Sequence, residues 1–105
     1  MGTDIIVSSP DGTGGAHFHF SMNRARALIQ YGFYIGDYHD KTVQEVLIAL
    51  NHAIMAMIAA GIKPLTEFEE WAHNEEAPGA MGNAIYFRNG LETTTGLDWR
   101  LWIDS

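Results

Sequence analysis

No cysteine occurs in the 105 residues. That excludes disulfide staples, a thiol nucleophile and thiolate metal ligation, and it fits a reducing cytoplasm. Basic residues are scarce: six Lys and Arg stand against thirteen Asp and Glu, for a formal charge of −7. Phosphate backbones repel such a surface, so direct nucleic-acid binding is disfavoured and a partner with a basic surface is expected. No basic, apolar leader opens the sequence, so no secretory signal is expected. Charge is missing altogether from Val46 to Ile62, where only Asn51 and His52 are polar. The stretch is short for a membrane span and has those two polar residues in its middle, which argues against the bilayer. Reaction signatures are also lacking: there is no GxSxG, no HExxH and no Walker motif.

What remains is a globular composition, 47% hydrophobic and 18% charged, of a size to form one domain over residues 1–105 with a single core. Its centre is the uncharged stretch. Thr42-Val43-Gln44-Glu45 matches a capping box, Gly61 followed by Ile62 suits a Schellman stop, and Pro64 prevents resumption. Val43, Val46, Leu47, Leu50, Ile54, Met57 and Ile58 form a stripe at helical spacing, and Ile48, Met55 and Ala59 a second. Two stripes predict a long central helix buried on more than one side. A row of Ala49, Ala53, Ala56 and Ala60 offers a seat for a second copy of the chain, which predicts a homodimer.

Before this helix, Asp4 to Ser9 reads as a strand closed by Pro10, and Pro10 to Gly15 as turn chemistry. Ala16 to Ser21 alternates, with Ala16, Phe18 and Phe20 on one face and His17, His19 and Ser21 on the other. A helix follows from Met22 to Gln30, capped by Ser21 and stopped at Gly32. Phe33 to Asp40 is aromatic and irregular, with at most a short strand at Phe33 to Ile35. After the central helix, Thr66-Glu67-Phe68-Glu69 opens a short helix to about Glu75, and Glu75 to Gly82 reads as a loop. Ala84 to Arg88 and Leu91 to Thr95 read as strands joined by the hairpin signal Asn89-Gly90, and Leu97 to Ile103 as a final strand. The order ββ-α-α-α-βββ predicts an α+β fold, with a small antiparallel sheet packed on the central helix between two short flanking helices.

Two groups of residues bear on function. Glu67, Glu69, Glu70, Glu75 and Glu76 are the densest negative run, uninterrupted by any basic residue from Leu65 to Arg88. Trp102 falls on the polar side of the last strand, and Tyr34 and Tyr38 are candidates to join it as contact aromatics. Together they predict a protein-binding surface. On the other strand, His17 and His19 point the same way, and His39 between Asp37 and Asp40 is a candidate third ligand for a transition metal such as zinc. A solvated strand face explains the same two histidines. The spacing of Gly12-Thr13-Gly14-Gly15 fits a hairpin loop and not a phosphate cradle, because no Lys follows and a strand comes next. His52, among apolar neighbours, reads as a hydrogen-bonded core histidine.

Two classes of function follow. The first is a small acidic, non-enzymatic binding module without a cofactor, similar in size and charge to immunity proteins, antitoxins and phage anti-defence inhibitors such as anti-CRISPR proteins. It acts in the cytoplasm by occupying a basic protein surface. The second is a small metal- or ligand-binding domain or enzyme that uses His17, His19 and His39 with the adjacent glycine-rich loop.

Overall fold

A computed structural model describes residues 2–63 and 77–104. The chain runs β1 (Gly2–Ser8), β2 (Gly15–Ser21), α1 (Met22–Ile29), a 3-10 helix (Ile35–Tyr38), α2 (Val43–Ala59), α3 (Ala77–Thr94) and β3 (Arg100–Asp104). The strands form one antiparallel sheet in the order β2-β1-β3. Alternation decides its two faces. Ile5 and Val7 of β1, Phe20 of β2 and Leu101 of β3 are fully buried against the helices, whereas Asp4, Ile6, His17, His19 and Trp102 point the other way. The class is the expected one: an α+β domain with the sheet on one side and the helices on the other.

Local chemistry accounts for the elements that match expectation. The β1–β2 loop folds around Asp11, whose carboxylate accepts from the Ser9 hydroxyl at 2.7 Å and from the Thr13 hydroxyl and amide. Gly12 supplies the left-handed residue at φ +77°. This is a hairpin loop, as its spacing implied. Ser21 caps α1 by accepting from the Arg24 amide. Thr42 caps α2 by accepting from the Glu45 amide, and the helix closes in a Schellman motif, with Gly61 N–H to Ile58 O and Ile62 N–H to Met57 O.

Elsewhere the structure departs from the sequence reading. The two strands expected at Ala84–Arg88 and Leu91–Thr95, and the turn between them, are part of α3, so the sheet has three strands. The buried positions Ala80, Met81, Ala84, Phe87 and Leu91 follow a helical period. Pro78 falls in the first turn, where a missing N–H costs no helical bond. Gly90 serves as a contact and not as a turn: a Cβ there would overlap the Phe18 ring. The Thr93, Thr94 and Thr95 hydroxyls donate back to carbonyls of Asn89, Gly90 and Leu91, which satisfies β-branched residues inside a helix end. Leu97 and Asp98 lie in a turn before β3. The carbonyls of Leu97 and Trp99 accept from the Gln44 and Val43 amides and so satisfy the open N-terminus of α2. Phe33 and Ile35 are buried without forming a strand.

The core-facing side of α2 is the stripe Val43, Val46, Leu50, Ala53, Ile54 and Met57. The second stripe is open: Ile48 and Met55 are more than half exposed and Ala59 is exposed, Ile58 of the main stripe faces outward with them, and His52 is exposed and not in the core. The alanine row is divided. Ala53 is buried in the core and Ala49 half-buried, while Ala56 and Ala60 face outward. The helix expected from Thr66 to Glu75 lies outside the described residues.

Candidate functional site

The outer face of the sheet carries the chemistry. β1 is the middle strand, so each outward residue on it has a neighbour on both sides. In register, Asp4 lies between His19 and Asp104, and Ile6 between His17 and Trp102. Cross-strand neighbours on one face sit about 5 Å apart, within reach of side-chain contact.

Asp4 organises the β2 side of this face. Its Oδ1 is 3.0 Å from Nε2 of His17 and 3.0 Å from Nδ1 of His19, so one carboxylate oxygen faces two imidazoles. Both rings donate when His17 carries its proton on Nε2 and His19 on Nδ1. Those bonds, His19 first and then His17, hold the Asp4 carboxyl below the usual carboxylate value. Gly2 leaves room for the arrangement, since a Cβ there would fall on the His19 ring. All three side chains are roughly half exposed. Solvent therefore screens the pair interactions.

The β3 side is apolar and aromatic. Ile6 is 47% exposed and Trp102 45%, side by side across β1 and β3. The His39 ring stands edge-on to Trp102 with centroids 5.3 Å apart, and its Nδ1 accepts from the Ile103 amide at 3.0 Å. His39 is thus engaged in bonding the edge of β3. Arg100 donates to the Asp40 carbonyl at 2.7 Å, at the same edge.

The sequence candidates are therefore dispersed. His17 and His19 are brought together, by Asp4, but His39 stands with Trp102 on the far side of β1. Among the described residues, no group of three or more His, Cys, Asp or Glu is arranged to hold a metal ion. Trp102 faces solvent. Tyr34 is 53% exposed but stands elsewhere, on a groove of about 230 Å³ lined also by Met22, Arg26 and Ile29. Tyr38 stacks on Phe33 at 5.3 Å and is partly buried. Glu67, Glu69, Glu70, Glu75 and Glu76 lie outside the described residues. Asp4 and Ile6 were not singled out from the sequence. Asp4 to Ser9 reads as a strand, and its register with β2, which sets Asp4 opposite His19 and Ile6 opposite His17, shows which of its members face out.

The chain matches no protein-family model, and no curated protein or solved structure shows significant similarity to it. Among the described residues, no helix is long and apolar enough to cross a membrane.

Proposed function

We infer that this protein is a small acidic binding module that acts without catalysis, by occupying the surface of a protein partner with the open face of its sheet. One observation carries the reading: Ile6 and Trp102 form an exposed aliphatic–aromatic pair at the centre of a face flanked by charged and titratable groups. A central apolar anchor with a polar rim is the anatomy of a protein interface. The net charge of −7 favours a basic partner surface and speeds encounter with it. The Glu67–Glu76 run extends this acidity along the sequence. An inhibitor of immunity, antitoxin or phage anti-defence type, working in the cytoplasm, is the form such a module takes.

The test compares wild type with Trp102→Ala, first in capture from native-host extract and then with the purified partner. Trp102 lies outside the core, so the variant should stay folded, while the Kd should rise about thirtyfold or more, the hot-spot loss of about 2 kcal/mol. Equal binding by both proteins would remove the reading. A second reading, a ligand-binding or enzymatic site on the histidine strand, is favoured by the convergence of His17 and His19 on Asp4. Loss of activity in His17→Ala with His19→Ala, alongside an unaffected Trp102→Ala, would select it.

A further inference from the structure

The two edges of the sheet are treated differently. Three outward-pointing backbone groups on β3 are covered: Leu101 N–H donates to Lys41 O, Leu101 O accepts from Asp40 N–H, and Ile103 N–H donates to His39 Nδ1. β2 forms the opposite edge. In an antiparallel ladder, alternate residues direct both N–H and C=O to the same side. The His19 carbonyl accepts from Asn83 of α3, so His19 points outward, and Gly15 and His17 point outward with it. Among the described residues, the outward N–H and C=O of Gly15 and His17 meet no partner. Nothing on β2 blunts this edge: the strand has no Pro and no Lys.

Beside the open segment lies a groove of about 520 Å³, walled by Gly15 to Phe18 on one side and by α3 on the other. Its α3 wall is Tyr86, Asn89 and Thr93, spaced i, i+3 and i+7 on one face of the helix. A strand added at the normal spacing of about 4.8 Å from β2 would run along this groove. Half of its side chains would face α3. The other half would continue the outer face that bears His17, Ile6 and Trp102.

We propose that β2 accepts an extended segment of a partner protein as a fourth strand, hydrogen-bonded to Gly15 and His17 and bedded against α3. This deepens the binding-module reading and rests on it. Main-chain bonds at an open edge provide affinity, and alternate side-chain positions provide selectivity. The charge of −7 selects a segment bearing Lys or Arg. The seat is also continuous with the Ile6–Trp102 face, so a partner reaching one reaches the other.

A displayed library of random decapeptides, panned on the full protein with His17→Pro as counter-target, tests this. Proline removes the outward N–H of His17 and leaves the ladder to β1 intact, because that residue does not bond β1. Expected are Lys- or Arg-containing binders that lose at least about tenfold in affinity on His17→Pro. They should lose no more than about twofold on His17→Ala, which keeps the backbone. Asn89→Trp, which fills the groove from a helix surface position, should abolish binding and guards against a His17→Pro protein that fails to fold. Bound peptide should slow exchange of the Gly15 and His17 amides. Failure to enrich any binder, or binders indifferent to both His17→Pro and Asn89→Trp, would overturn the proposal. So would a dimer by light scattering that His17→Pro dissociates, because a second copy would then occupy the edge. If the Trp102-dependent partner binds His17→Pro normally, strand addition fails while the sheet-face reading stands.

Discussion

Gly90→Ala is the substitution that most directly tests how α3 meets the sheet. On an isolated helix this change is favourable, by about 1 kcal/mol, because alanine loses less backbone freedom. Here the new Cβ would overlap Cε1 of Phe18 and lie 2.8 Å from its Cζ. The ring is partly buried and can yield only toward the groove it lines. It packs edge-on to Phe87 at 5.0 Å, and Phe87, fully buried, packs in turn on Phe20 at 5.4 Å. Overpacking of this kind costs about 1–3 kcal/mol, so after the helix gain the net effect is a loss of up to about 2 kcal/mol, or a fall in Tm of up to roughly 10 °C. Removing the ring should reverse the sign. In a Phe18→Val background, itself destabilised, adding Gly90→Ala should raise stability by up to about 1 kcal/mol. Urea unfolding of the four proteins in the cycle measures both steps. A stabilising Gly90→Ala in the wild type would refute the close approach. A loss of equal size in both backgrounds would point instead to a backbone requirement for glycine, as a turn has.

Three further outcomes are expected. Leu50, fully buried on α2, should not tolerate Asp: an unpaired core charge costs several kcal/mol, so circular dichroism of Leu50→Asp should show an unfolded chain. The Asp11 carboxyl is held down to about 2 by the Ser9 hydroxyl and then by the Thr13 amide and hydroxyl. Its folded value lies below the unfolded one, so its contribution to stability is complete above about pH 4 and is lost as pH falls toward 2; Asp11→Asn should flatten urea midpoints across that window, and unchanged acid dependence would contradict the assignment. Asp4, held low by His19 and His17, should show the same sign, and its carboxyl carbon should titrate nearer the usual value in a His17→Ala, His19→Ala protein.

Features set by short-range chemistry were legible in the sequence. Thr42, Gly61 and Ser21 act within a few residues of themselves, and the His17/His19 alternation needs only the pleat of one strand. The region from Ala77 to Thr94 departs from its sequence pattern for the opposite reason. Asn89-Gly90 and three consecutive threonines are local signals for a hairpin, and what overrides them is distant: Phe18, which needs the space Gly90 leaves, and the core that takes Ala84, Phe87 and Leu91. Likewise Trp102 could be placed outward from its own strand. Asp4 and Ile6 became candidates only through the register, which sets them beside His19, His17 and Trp102 on strands distant in sequence.

The strand order β2-β1-β3 also has a consequence in time. β1 meets β2 across a short loop within microseconds, but its other edge waits for β3, which follows both long helices, at a larger cost in loop-closure entropy. During synthesis at about 5–20 residues per second, that edge stays unpaired for seconds, and α2 lacks the Leu97 and Trp99 carbonyls that close its first turn. Emergence of β3 thus completes both the sheet and the first turn of the central helix in one step. A ribosome-bound chain lacking β3 should therefore remain protease-sensitive throughout, and release of those few residues should convert it cooperatively to the resistant form.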